Sequence, residues 1–131
     1  MVDRLNAYLN LHASALSLRG ERMNLIASNL ANADTPGYKA KDLDFSRAMK
    51  AATGAAGSER MRVTDDQHLS IAGSARHFVV SHEPLQGSLD QNTVDPQLQH
   101  AAFAENALGY QASLQFLEGK VRGLMTAITG E

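Results

Sequence analysis

Five histidines are the side chains in this sequence most suited to bind a metal, and their spacing decides whether they could. None lies in a His-Glu-x-x-His pattern or another spacing that brings metal ligands together. His77 and His82 are five residues apart around a short β-favouring run, which favours two surface side chains. His12 falls within the apolar arc of the first helical segment, where a partly buried structural histidine is expected. The sequence therefore predicts no metal ion and no cofactor.

Acid–base, phosphate-binding and nucleophilic chemistry lack support as well. The carboxylates of "DLDF" (42–45) and "TDDQ" (64–67) have no partner at a defined spacing, which favours solvated turn acids. The glycines of "GAAG" (54–57) are not followed by the Gly-Lys-Ser/Thr of a phosphate loop. Ser74 lies in "AGSAR", which differs from the Gly-x-Ser-x-Gly nucleophile turn. We therefore predict that the chain is not an enzyme and binds no small-molecule substrate.

The composition excludes further classes of function. Twelve basic and fourteen acidic residues give a net charge of −2 without a dense basic run, so no positive field is available for nucleic acid. Cysteine is absent, which excludes a disulfide framework. The first residues are too polar for the apolar core of a signal peptide, and no later segment is long enough to span a membrane. We expect a cytosolic protein, or one exported without a cleaved signal peptide.

Any functional residues would have to be positioned by two helical segments, 1–33 and 95–131, and by a less regular middle part, 34–94. The first segment carries an apolar arc over about half of its circumference, wide enough to contact two neighbours. The residues that we predict to form its contact face are Leu9, Leu16, Met23, Ile26 and Leu30.

The C-terminal segment is predicted to be a helix with Asp95 as its N-cap, Pro96 in its first turn and Gly130 as its stop. Apolar and small residues in it alternate at spacings of four and three, the heptad pattern of coiled-coil helices. We call this set the apolar seam; it comprises Phe103, Ala107, Tyr110, Leu114, Leu117, Val121, Leu124 and Ile128. Glycines beside the seam, among them Gly109, indicate close packing against other helices.

The middle part is predicted to hold two or three short strands, in "HLSIAG" (68–73) and "RHFVVSHEP" (76–84). The small, glycine-containing stretch 50–60 is interpreted as a flexible connection. Between Leu30 and this part, Asn32 stands where a helix end could adopt the left-handed conformation. Thr35-Pro36-Gly37-Tyr38 fits a turn with proline second and glycine third, so the helix ends and the chain leaves extended.

These features predict a mainly α fold in which the long N- and C-terminal helices pair as an antiparallel, coiled-coil-like bundle, with a short irregular or β middle segment. One such pair leaves much of the apolar arc uncovered, and large exposed apolar surfaces mark interaction sites. We therefore expect a self-associating structural protein. A cytosolic helical adaptor or export chaperone would show the same two helices and stays open as an alternative.

The stretch "SNLANADTPGYKAKDLDF" (28–45) resembles the N-terminal motif of bacterial flagellar axial proteins. The segment from "NTVDPQLQ" to the C-terminus is similar to their C-terminal heptad segment. The short middle part points to the proximal members of the flagellar basal-body rod protein family, of which two sister types fit. The residues that this resemblance assigns to the turn motif are Asn29, Asn32, Asp34, Thr35, Pro36, Gly37 and Tyr38.

The resemblance implies a mechanical function. Subunits of this family assemble helically into the hollow rod that transmits torque and passes exported subunits. It implies contacts with other rod subunits, the rod base protein, the MS-ring and the rod cap. It also implies export through the flagellar type III apparatus, without a cleaved signal peptide, to the basal body.

Because helices of marginal stability obtain most of their order from packing, we predict that the free monomer is largely disordered at both ends. Amide NMR spectra of a dilute sample check this prediction. Sharp and well-dispersed signals throughout the chain would contradict it.

Overall fold

Two long helices, a short helix and a two-stranded sheet make up the described part of this protein. The computed structural model describes residues 2–54, 78–81 and 89–130, with side chains from residue 9 onward. In chain order the elements are α1 (Val2–Ala31), β1 (Lys41–Leu43), α2 (Phe45–Ala52), β2 (Val79–Ser81) and α3 (Pro96–Thr129). The predicted mainly helical class, with long helices at both ends, is confirmed.

α3 begins and ends where its sequence predicts. Asp95 Oδ1 accepts hydrogen bonds from the backbone N–H groups of Gln97 (2.9 Å) and Leu98 (3.3 Å), as an N-cap does. Pro96 occupies the first turn, where its missing N–H leaves no acceptor unpaired. Gly130 ends the helix in the left-handed conformation, with φ of 78°.

The two long helices run antiparallel, as three contacts along them show. Asn29 near the end of α1 hydrogen-bonds Gln99 near the start of α3. Midway, the Asn106 side chain donates to the backbone oxygen of Arg19 over 2.8 Å. Further toward the start of α1, the rings of His12 and Phe116 lie 6.2 Å apart. The predicted pairing of the terminal helices is thereby confirmed.

A small hydrophobic core lies on another side of α1. Leu18, Leu43 and Ala48 are buried there, one from each of α1, β1 and α2. Around them pack partly buried side chains of the same elements and of the β2 segment, namely Leu25, Phe45, Met49, Phe78 and Val79. α1 thus carries α3 on one face and the middle segment on another, as its wide apolar arc predicts.

The middle segment corrects part of the sequence interpretation. α2 was not predicted, and its last residues, 50–52, were assigned to a flexible connection. The helix is eight residues long, and the Asp44 side chain caps it by accepting from Arg47 N–H. β1 was likewise not predicted as a strand.

The strand predicted in "RHFVVSHEP" is confirmed as β2, which pairs antiparallel with β1 in the register Lys41–Ser81, Asp42–Val80 and Leu43–Val79. The strand predicted in "HLSIAG" lies outside the described residues. β1 escaped prediction because it is three residues long and one of its faces is polar.

A bidentate ion pair joins the sheet to α1. Arg22 Nε and Nη2 donate to the two carboxylate oxygens of Asp42 over 2.8 and 2.9 Å. This hydrogen bonding, together with the negative charges of Asp42 and of Glu105 on α3, raises the pKa of the Arg22 guanidinium against the opposing effect of burial. The ion pair thereby holds β1 against α1 at the level of Arg22.

The core predicts a large effect for Leu43→Ala. Removal of a buried leucine side chain should lower the free energy of unfolding by about 2–5 kcal/mol, as measured by urea unfolding followed by circular dichroism. Leu89→Ala is the control, because Leu89 is fully exposed at 108%. Equal losses in the two variants would contradict the placement of the core.

Candidate functional site

The turn after α1 has the predicted geometry. Tyr38 N–H donates to the Thr35 carbonyl over 3.2 Å, which closes a four-residue turn. Gly37 occupies its third position with φ of 71°, a conformation that is strained for residues with a Cβ. Pro36 fixes the second position, and Asp34 is exposed beside the turn.

Asn32 ends α1 in a different way from the one predicted. Among the described residues Gln91 is the one non-glycine with positive φ, so the left-handed conformation expected for Asn32 is wrong. Instead, Asn32 Nδ2 donates to the Ser28 carbonyl over 2.8 Å and Oδ1 accepts from the Thr35 hydroxyl over 3.2 Å. The side chain itself caps the end of α1, so the backbone needs no left-handed residue there.

Asn29 connects the end of α1 to the chain that follows the turn. Its side chain is 1% exposed. The Nδ2 group donates to the Lys41 carbonyl (2.7 Å) and Oδ1 accepts from Lys41 N–H (3.0 Å), so one amide pairs with both backbone groups of a residue in β1. Nδ2 also donates to Gln99 Oε1 over 3.1 Å, which brings α3 into the same network. Tyr38 Oη lies 3.4 Å from Asn29 Oδ1.

Asn92, before α3, joins the same turn from the other side. It is 6% exposed, and its Nδ2 group lies within hydrogen-bond distance of three carbonyl oxygens, those of Asn32 (3.0 Å), Ala33 (2.6 Å) and Thr35 (3.0 Å). Its Oδ1 accepts from Val94 N–H over 2.8 Å, a local turn that orients the amide. The amide therefore satisfies carbonyl groups of the turn that follows α1.

Backbone contacts also join the turn after α1 to the segment before α3, and we call this set of contacts the junction. Gly37 N–H donates to the Asp90 carbonyl (2.8 Å), and Thr93 N–H donates to the Tyr38 carbonyl (3.0 Å). Ala40 N–H donates to the Thr93 hydroxyl over 2.7 Å. The segments 37–40 and 90–93, which the sequence presents as two separate motifs, thus form one structural unit.

Sequence reasoning missed Asn92 as a residue of this junction. It treated "NTVD" only as the start of α3, although an asparagine just before a helix could have indicated a side-chain contact. It also missed Asn106, which is 1% exposed between α1 and α3 and has no counterpart in the apolar pattern.

The predicted contact face of α1 divides between the interior and the surface. Ile26 is buried, whereas Leu9, Leu16, Met23 and Leu30 are half-buried. These four retain accessible apolar surface in the isolated chain.

The apolar seam of α3 is displaced from the line that faces α1. Buried positions on α3 are Asn106 and Ser113, and at about 100° per residue the centre of the seam lies roughly 50° around the helix from Asn106. Half of the seam is exposed: Phe103, Leu114, Val121 and Ile128. Its other members are half-buried: Ala107, Tyr110, Leu117 and Leu124. The intramolecular pair therefore leaves a long apolar strip open along one flank of α3.

Within the described part of the chain, no group of three or more potential metal-ligating residues is close enough to hold an ion. None of the described helices is long and apolar enough to cross a membrane.

Comparison with known proteins places these features in a family of structural proteins. The family description "Flagella basal body rod protein" matches residues 9–39, which include most of α1 and the whole turn motif. The chain belongs to the flagellar basal-body rod protein family, as the extent of the following similarities shows.

Three relatives are named flagellar basal body rod protein FlgB. The relative from Cereibacter sphaeroides is 45% identical over 124 residues, which is 94% of each chain. The one from Aeromonas hydrophila is 40% identical over 92% of each chain. The one from Escherichia coli K12 is 37% identical over 98% of this chain and 97% of the relative. These names favour one of the two sister types of proximal rod protein, type B over type C.

Asn92→Asp tests the junction with almost no change in side-chain volume. It removes the amide donor and places a carboxylate against three carbonyl oxygens, so the turn should open and its backbone N–H groups should exchange faster. Hydrogen exchange of the backbone N–H groups of residues 37–40 measures the opening of the turn. Gln91→Glu adds the same charge at an exposed neighbouring position. The two variants are compared in the same assembly state. Equally slow exchange in both variants would show that the Asn92 amide is dispensable.

Proposed function

We propose that this chain is a structural subunit of the proximal rod of the bacterial flagellar basal body, and that it performs no catalysis. The observation that carries the proposal is its similarity to FlgB proteins along nearly the whole chain. In the rod it assembles helically into the shaft that transmits torque and through which exported subunits pass.

The exposed surface of the helix pair supports an assembly role. Apolar side chains along one flank of α3 lie open in the isolated chain, with Leu114 at 47% and Ile128 at 80% exposure. From Phe103 to Ile128 this strip is about 38 Å long at 1.5 Å per residue. A strip of this length would favour association in water, and neighbouring subunits in a rod would cover it.

The junction supports the same role in another way. A subunit that transmits torque needs its helices and its middle segment held at fixed angles. Asn29, Asn92 and the Arg22–Asp42 pair connect α1, β1 and the start of α3 through side chains that are buried or half-buried. We propose that the turn motif sets this geometry, whereas the apolar seam and the contact face of α1 form the subunit contacts.

The proposed partners are other rod subunits, the rod base protein, the MS-ring and the rod cap. The proposed route to the basal body is the flagellar type III apparatus, without a cleaved signal peptide. These assignments follow from family membership, and the fractionation described below tests the location.

Leu117→Asp should abolish assembly, because it places a charge within the apolar seam at a half-buried position. Swimming of a deletion strain that carries the variant measures the effect. Gln115→Asp introduces the same charge on an exposed part of α3 and should be tolerated better. Pro36→Ala should also be milder, because Gly37 still permits the turn. Wild-type swimming of Leu117→Asp would contradict the assignment of the seam.

Fractionation tests the function directly. Hook–basal bodies purified from a strain with a single copy of the gene are probed with an antiserum against the chain. Co-purification, together with loss of motility on deletion, is expected of a rod subunit. A strain that still swims while the protein remains in the cytosol would favour the helical adaptor or export chaperone instead.

A further inference from the structure

The residues that α3 turns toward α1 are the less apolar ones, although a more apolar face lies beside them. Asn106 and Ser113, seven residues apart, are buried in the interface, while the apolar seam lies on its flank. Burial of apolar area alone would rotate α3 so that the seam met the apolar arc of α1. Something specific must therefore favour the observed face.

A hydrogen bond from Asn106 can favour the observed face of α3. Asn106 Nδ2 donates to the backbone oxygen of Arg19 over 2.8 Å and thereby connects the middle of α3 to the middle of α1. The Ser113 hydroxyl instead donates to the Gly109 carbonyl within α3 over 2.8 Å. Among the described hydrogen bonds that join the two helices, the one from Asn106 reaches the α1 backbone, which cannot move independently of the helix.

The residues around Asn106 allow α1 and α3 to approach closely at this point. A Cβ at Gly109 would lie 2.6 Å from Arg19 Cζ, so the absence of a side chain there leaves room for the guanidinium. The same guanidinium lies over the Phe45 ring, with Cζ 4.7 Å from the ring centre. Asn106 Oδ1 and Arg19 Nε are buried without hydrogen-bond partners among the described residues. An arrangement that leaves two buried polar atoms unpaired is not optimised for stability, and a buried asparagine between helices can select one packing over others at a cost in stability.

We propose that Asn106 is a specificity-determining residue: its bond to Arg19 selects the face of α3 that packs on α1 and so keeps the apolar seam available to neighbouring copies of the chain. This inference rests on the proposed assembly function. It adds that, once α3 packs on α1, a buried polar contact keeps the pair from closing over its own assembly surface.

Asn106→Leu tests the proposal, because leucine fits a helix interface but cannot bond to the Arg19 carbonyl. The chain has no cysteine, so introduced pairs report on packing without interference. The pair His12→Cys with Phe116→Cys reports the observed face, since those rings lie 6.2 Å apart. The pair His12→Cys with Leu114→Cys reports a rotated α3 that presents the seam. Both are crosslinked in cells of the deletion strain with a short bismaleimide.

We expect Asn106→Leu to lose most of the 12–116 crosslink, to gain the 12–114 crosslink and to be lost from purified basal bodies. Ser113→Ala removes the neighbouring buried hydroxyl and should keep the original crosslink and motility. The proposal is overturned if Asn106→Leu retains the 12–116 crosslink at the level of the unsubstituted residue. It is equally overturned if both crosslinks fall together, since Asn106 would then serve only stability.

Failure of the proposed function gives a different result. If the chain with Asn106 intact is absent from purified basal bodies, the rod assignment is wrong whatever the crosslinks show. Crosslinks within one chain are separated by size on denaturing gels from those between chains. The crosslinks within one chain report the face that α3 presents to α1, and this result does not depend on whether the rod assignment is correct.

Discussion

The carbonyl groups in the last turn of a helix have no partners within it, and the hydrogen bonds made there and in the following turn determine where the chain goes next. At the end of α1 the backbone N–H groups of Asn32 and Ala33 and the Asn32 side-chain amide bond to these carbonyls. In the turn that follows, Asn92, 60 residues from Asn32, gathers three carbonyl oxygens. The turn after α1 is therefore complete only when the segment before α3 has docked. This dependence couples the two long helices through their connecting motifs.

From this junction the rest of the architecture follows. Asn29 aligns β1 with the end of α1, the Arg22–Asp42 pair fixes its position about two turns earlier along the helix, and α2 closes the core over Leu18 and Leu43. On another face of α1, α3 packs through Asn106 and Ser113 and leaves the apolar seam on its flank. Polar groups thus fix the angles between elements around a small hydrophobic core, whereas the apolar seam stays accessible along α3. Such a division suits a rod subunit, because directional bonds specify angles and hydrophobic contacts supply affinity.

Most of the large features could be predicted from the sequence because they rest on repeated local patterns. The ends of α3 follow from Asp95, Pro96 and Gly130, and the turn follows from Pro36 and Gly37. The features that escaped prediction depend on single residues whose partners are distant in sequence. Asn92 and Asn106 interact with residues 57 or more positions away, and no periodicity marks them. β1 is too short for a pattern, and Asn32 had an alternative way to cap its helix. The residues that form subunit contacts stay a prediction, since one chain shows which surfaces are open but not what covers them.

The central claim is that the apolar seam is buried between subunits in the assembled rod. Leu114→Cys provides a single reactive group on the seam, at a position 47% exposed in the isolated chain. Its reaction with a maleimide is measured in purified hook–basal bodies and again after they are dissociated. The account predicts protection in the intact structures and rapid labelling after dissociation. Equally rapid labelling in both states would contradict it.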